Sequence, residues 1–266
     1  MKRKLGLNID CLRGEDPLDT LELAHKIGFE SFFSGMWSHD CLLELKKRGD
    51  ELGMDFEFIH APFRGINEMW MPGMGYLTLY NAMKQTIDYA ADCGVPTVIT
   101  HVSSGWHPPQ VNDLGLSRYD EIVLYAKEKG ITVAFENLRM VGNLAVLVDR
   151  YEHMDNVMYC YDCGHEHCYT KTVSWLDIFT TRVCCTHIHD NMGRPFENKV
   201  DDFDQHFLPF DGTVDYEKMM RKLDEYGYAG SLTLEISNQT KPEYKEMTAE
   251  AFLRTAYDRI KKISEL

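Results

Sequence analysis

The 266-residue sequence contains no run of about 18 apolar residues, which excludes a helix that spans a bilayer. Its opening MKRKLGLNID is basic but lacks the roughly 7–15-residue apolar stretch of a secretory signal, so a cytoplasmic protein is expected. Basic residues are scarce. The 28 Lys and Arg stand against 42 Asp and Glu, a formal charge of −14. That field repels nucleic acid, and the small clusters at Lys2–Lys4, Lys46–Arg48 and Lys261–Lys262 form no groove for it. There is no Gly-rich dinucleotide turn, no internal repeat and no low-complexity segment. Cys160 and Cys163 form a C-x-x-C pair, but no second Cys/His pair follows at finger spacing, so a zinc finger is excluded. Cys160, Cys184 and Cys185 lie in strand-like runs, and Cys41 and Cys93 in helix-like ones. With no signal peptide, reduced thiols are expected rather than disulfides.

What is present is a rhythm. Helix-like segments end in Gly, and a strand follows within a few residues, at Gly28, Gly53, Gly94, Gly130 and Gly227. Gly just past a helix adopts the left-handed conformation that closes it, and recurring αβ junctions imply a parallel sheet. Strands are predicted near 4–10, 29–34, 55–60, 97–102, 131–136, 157–162, 184–189 and 231–236. Helices are predicted from Asp16-Pro17 and near 39–52, 77–93, 118–129, 143–153, 174–181, 215–226 and 247–264, with long loops after strands three, four, six and seven. Eight such units in a chain near the roughly 250 residues of a barrel domain give an α/β fold, a single (β/α)8 TIM barrel over residues 1–266.

Six of these strands run into metal-ligand side chains: His60, His101, Glu136, Asp162, the pair His187 and His189, and Glu235. In a parallel barrel the C-terminal strand ends face one mouth, so the series surrounds one point with imidazoles and carboxylates, a divalent-metal ligand set. Glu136 and Glu235 end the otherwise uncharged runs VAFE and LTLE. A buried carboxylate there needs a metal or a cation. The turn in YDCGH brings His165 back over the mouth above Asp162. His187 and His189 alternate and face one side, and Asp190 faces away. In DDFDQHFLPFDG, Asp204 and His206 reach over the site, whereas Asp201 and Asp202 read as solvated loop. Loop aromatics Trp37, Phe63, Trp70 and Trp106 are candidates to cover a substrate face and exclude water, with Trp37, Trp106 and His189 taken as substrate-binding residues.

The chain resembles the xylose isomerase-like barrels, specifically the sugar phosphate isomerase/epimerase group related to endonuclease IV. The resemblance rests on the strand ending at His60, HVSS at His101, FEN at Glu136, YDCGH, HIHDN, DQHFLPFDGTVDY and LTLEI. These occur in order from about residue 60 to 236. In the epimerase-like members the resemblance implies one divalent ion held by Glu136, Asp162, His187 and Glu235. In the endonuclease-like members it implies a three-ion cluster that adds His60, His101, His165, Asp204 and His206. The expected cofactor is therefore one to three divalent ions (Zn, Mn, Mg, Co or Fe).

The expected function is a metal-dependent sugar or sugar-phosphate isomerase or epimerase. Glu136 and Glu235 would be an acid/base pair that moves a proton through an enediolate. The alternatives are an endonuclease IV-like phosphodiesterase, a keto-sugar or inosose dehydratase, and a non-catalytic carbohydrate-binding barrel. The charge of −14 and the lack of a Lys/Arg set for phosphates oppose the nuclease. A small sugar is the expected partner, with no nucleic acid and no membrane; a homo-oligomer is compatible with the sequence.

Overall fold

The computed structural model describes residues 2–195 and 203–266. Asp201 and Asp202 lie outside the described residues. Strand and helix alternate: β1 (Leu5–Asn8), α1 (Pro17–Ile27), β2 (Ser31–Gly35), α2 (His39–Leu52), β3 (Asp55–His60), α3 (Leu77–Cys93), β4 (Thr97–Thr100), α4 (Asp113–Glu128), β5 (Thr132–Glu136), α5 (Val141–Arg150), β6 (Val157–Asp162), α6 (Cys163–Tyr169), α7 (Trp175–Phe179), β7 (Val183–His187), α8 (Tyr216–Glu225), β8 (Leu232–Leu234), α9 (Pro242–Lys245) and α10 (Ala249–Ser264). All strand pairs are parallel, in the order β7-β6-β5-β4-β3-β2-β1-β8. The ring closes where Ile188 N–H donates to Thr233 O (2.8 Å) and Glu235 N–H to Ile188 O (3.1 Å). The result is the (β/α)8 barrel that the αβ rhythm implied. Among the described residues, no helix is long and apolar enough to cross a membrane.

Parallel strands covered on both faces are mostly apolar, and their alternation divides the core in two. Phe32, Val98, Val133, Phe135 and Tyr159 pack outward against the helices. Phe33, Phe58, Ile99, Ala134, Cys160 and Cys185 fill the lumen, one from each of six consecutive strands. Two register shifts place an extra residue in β3 and in β7. Phe32 and Phe33 pair with Phe56 and Phe58, and Tyr159 and Cys160 pair with Val183 and Cys185, which leaves Glu57 and Cys184 as the unpaired residues.

Capping side chains fix several helix starts. Asp16 accepts from Leu18 N–H, and Ser38 from Cys41 N–H. Helix α4 begins at Asp113, earlier than its hydrophobic pattern predicts, with Asn112 accepting from Gly115 N–H. Gly115 belongs inside this helix because Trp70 packs on it: an added Cβ would lie 1.9 Å from Trp70 Cε3. Trp70 is therefore core, 1% exposed, and its indole donates to Val102 O at 2.7 Å. This removes it from the aromatics expected to face a sugar. The loop expected after β6 is instead helix α6, capped by Asp162.

Candidate metal centre

Strand alternation aims the site. Phe58, Ile99, Ala134, Cys160 and Cys185 fill the lumen. Two residues further along each segment stand His60, His101, Glu136, Asp162 and His187. A two-residue step keeps the same face, so these five side chains cap the apolar lumen at its C-terminal end. Glu235, 19% exposed at its side chain, joins them just beyond β8.

Among the described residues three donor groups result, each with one atom per residue and all those atoms within 4.8 Å of one another. The first is Glu136, Asp162, His187 and Glu235; the second His60, His101 and Glu136; the third His165, His189, Asp204 and His206. All nine residues singled out from the sequence as definite or additional ligands are in them. His189, expected to contact substrate, stands in the third group. Glu136 belongs to two groups, and Asp162 reaches toward a third, with Oδ1 3.1 Å from His189 Nε2.

Glu136 is 1% exposed and faces four imidazoles, His60 (3.2 Å), His101 (3.0 Å), His165 (3.1 Å) and His187 (3.1 Å). Burial alone would raise its pKa, but the facing His187 and His101 hold it well below the ordinary carboxylate range. Burial also opposes a charge on His187, yet Glu235 and Glu136 lift its pKa to about 9. His206, 27% exposed at its side chain, is lifted to about 10, chiefly by Asp204. His101 goes the other way: burial outweighs Glu136 and lowers it.

Neighbouring carbonyls select the nitrogens. His60 Nδ1 lies 2.8 Å from Ala61 O, and His206 Nδ1 2.8 Å from Glu235 O. Each carbonyl needs a donor, so Nδ1 carries the proton and Nε2 is left as the ligand nitrogen. His206 adopts a left-handed backbone, φ 45°, and its ring stacks on His189 at 4.0 Å. Gly164 is required beneath His189, since a Cβ there would lie 2.1 Å from the ring. Asp190 faces away as expected. It accepts from the backbone N–H groups of Asn191, Phe210 and Val214, and so folds the loop that carries Asp204 and His206.

The donor set fits a divalent cation. Glu136, Asp162 and Glu235 converge, and among the described residues their ion-pair partners are all imidazoles, with no Lys or Arg. Atoms bound about 2.1 Å from one ion stand roughly 3.0–3.4 Å apart in octahedral or tetrahedral geometry. His187 Nδ1 lies 3.1 Å from Glu136 Oε1 and 3.3 Å from Glu235 Oε2. The buried His187 Nε2 and His189 Nδ1 have no hydrogen-bond partner among the described residues, so neither ring is fully satisfied by the protein alone.

A cleft of about 430 Å³ opens beside Glu235 and His60, between the ends of β1, β2 and β3. Trp37 is 42% exposed at its edge and Phe63 46% exposed, with Phe63 stacked on His101 at 4.3 Å. Trp106 stands elsewhere at the mouth, edge-on to Tyr169 and under the Arg194 guanidinium. Asp10 also lines this cleft. The sequence pattern does not reveal it, because it follows β1 with no periodic or motif signal.

A family described as the xylose isomerase-like TIM barrel matches residues 21–256. Inosose isomerase from Halalkalibacterium halodurans is 26% identical over 146 residues, which cover 52% of this chain and 50% of that protein. The chain spans between about half and two-thirds of the length of the curated relatives it matches. Among solved structures, the IOLI protein with a bound zinc atom superposes with a TM-score of 0.78 at 18% identity, covering 98% of both proteins. L-ribulose 3-epimerase superposes at 0.74 with 17% identity, covering 99% of this chain and 95% of that one.

Proposed function

This chain belongs to the xylose isomerase-like TIM-barrel family, and from that footing we propose that it is a divalent-metal-dependent sugar isomerase or epimerase. The observation that carries the reading is the unequal pair of carboxylates on His187 Nδ1, Glu136 at 3.1 Å and Glu235 at 3.3 Å. Glu136 is sealed in the lumen at 1% exposure; Glu235 opens into the cleft at 19%. A carboxylate that meets both the cation site and the cleft can take a proton from a carbon beside a carbonyl. The electron pair left by that C–H bond moves into an enediolate. Return of a proton to the same carbon from the other side inverts it, and return to the neighbouring carbon isomerises the sugar. Glu235 acts from the cleft side and Glu136 from the lumen side, with His187 held between them. A divalent ion in this site would supply stabilisation of the negative charge on the substrate oxygens. Glu136, Asp162, His187 and Glu235 would hold it. The inosose isomerase and the L-ribulose 3-epimerase among the similar proteins support this class of chemistry.

Glu235→Gln should cut solvent deuterium exchange at the substrate carbon by about 10²–10⁴-fold while the fold is kept. Exchange at the wild-type rate would refute the role.

A second reading has its own observation. The two further donor groups, linked through Glu136 and Asp162, suit a multi-ion phosphodiesterase in which clustered cations flank an in-line attack. The charge of −14 weighs against a DNA substrate. Elemental analysis gives the ion count, and incubation of the zinc- or manganese-loaded protein with abasic-site duplex decides the activity. Water loss after the same first proton removal would make the enzyme a dehydratase, which product analysis distinguishes.

A further inference from the structure

We propose that Asp10 is a hydroxyl-recognising residue that selects substrates with a free, unphosphorylated polyol end; the inference rests on the isomerase reading and deepens it. Asp10 belongs to none of the three donor groups, yet it lines the cleft that Glu235 and His60 open into. Two rigid donors hold it. Its Oδ2 accepts from Gly35 N–H at 2.5 Å, and its Oδ1 from Trp37 Nε1–H at 2.6 Å. Those bonds take one lone pair on each oxygen, and a carboxylate has about four acceptor sites. One site per oxygen therefore remains, and the residue is exposed. A carboxylate fixed in this way accepts from two adjacent hydroxyls as it does from the paired N–H groups of a guanidinium.

The surroundings match a polyol. Phe63 lines the cleft and Trp37 borders it through its bond to Asp10; at 46% and 42% exposed, they supply apolar surface for the C–H groups of a cyclic or open sugar. Asn8 is committed elsewhere, since its amide exchanges two hydrogen bonds with Ile236 backbone and ties β1 to the segment beyond β8. A phosphate seated at Asp10 would face that carboxylate, which lies outside the donor groups, and among the residues that line the cleft only Arg64 is a Lys or Arg. Hydroxyl donors meet no such repulsion.

Calorimetric titration of the metal-loaded protein with D-fructose, D-ribulose, myo-inositol and their phosphate esters tests the assignment. At least one free polyol should bind more tightly than its phosphate ester. Asp10→Asn and Asp10→Ala should each weaken that binding roughly 10–100-fold, with metal content and circular dichroism unchanged. Trp37→Phe, which removes one of the two clamps, should weaken it about 3–10-fold. A deoxy analogue lacking the recognised hydroxyl should bind the wild type weakly and be indifferent to Asp10→Asn. Wild-type affinity in both Asp10 variants would overturn the proposal. So would a failure of every free polyol to bind the wild type, or tighter binding of phosphate esters that Arg64→Ala abolishes. Asp10-dependent binding without proton exchange would leave the subsite standing and sink the isomerase reading. Exchange in Asp10→Asn at the wild-type KM would do the reverse.

Discussion

The two ends of the barrel lumen each enclose a carboxylate on a strand, and they treat it in opposite ways. At the C-terminal end four imidazoles surround Glu136 and hold its pKa down. At the N-terminal end Glu57 meets only hydroxyls: it accepts from Ser231 Oγ and, at 3.1 Å, from Thr233 Oγ1. Desolvation there wins over the hydroxyls, and its pKa rises. Neutral dipoles offset only part of the cost of burying a charge, whereas groups that can themselves become cations reverse it. The C-terminal end is thus a set of charges suited to a divalent ion, and the N-terminal end a hydrogen-bonded plug. Barrels of this kind carry chemistry at the first end and stability at the second.

The comparison breaks most readily at the metal centre. Chelation should lower Tm by roughly 5–15 °C, from the linkage energy of an ion held at about 100–1,000 times its Kd; an unchanged melting curve would mean that the cluster is only structural. Without metal, the raised His187 and His206 contribute stability that is fully present below their ordinary value of 6.5. That stability is lost as pH rises through about 9 and about 10. The stripped protein should therefore melt at progressively lower temperature from pH 7 to 10. The loaded protein should hold its Tm, because its ligand imidazoles are already deprotonated.

At the other end, Gly6→Ala tests the plug. A Cβ would sit 2.6 Å from Ser31 Oγ and 2.8 Å from Thr233 Oγ1, so the hydroxyl ring around Glu57 must shift. A loss of about 1–3 kcal/mol is expected in denaturant titration, with metal content unaltered. The smallest effect is at Glu57 itself. Its folded pKa is raised, so it destabilises the fold as pH climbs above the ordinary 4.5 and has no effect below it. Glu57→Gln should therefore raise stability at pH 7 by less than about 1 kcal/mol, discounted for partial exposure, and change nothing near pH 4. A gain at both pH values would assign the effect to packing rather than charge.

Much of the top end was legible in the sequence. Each of His60, Glu136 and Asp162 is the last residue of its observed strand, and so is His187, whose strand ends two residues before the end that its apolar pattern predicts. Apolar runs that end in a ligand are visible without coordinates because the two-residue strand period is local. The bottom end was not legible. Glu57 lies inside β3, where alternation would put it on the face opposite Phe58, and only the register shift turns it into the lumen. Helix α6 is not visible in the sequence because its start is signalled by one side chain, Asp162, which also reads as a strand end. The burial of Trp70 is not legible in the sequence, because it depends on Gly115, 45 positions on, which leaves room for the indole.

The sequence by itself determined that the strand-end side chains His60, His101, Glu136, Asp162 and His187 point into the barrel mouth, since alternation and strand ends depend only on neighbours along the backbone. Their grouping depended on the tertiary structure. The sharing of Glu136 between His60–His101 and His187–Glu235, the transfer of His189 to the group of His165, Asp204 and His206, and the clamping of Asp10 by Gly35 and Trp37 join segments 15 to 99 positions apart. Strand stagger and loop return set which atoms come within bonding distance. Those are properties of the closed sheet that no stretch of residues encodes alone.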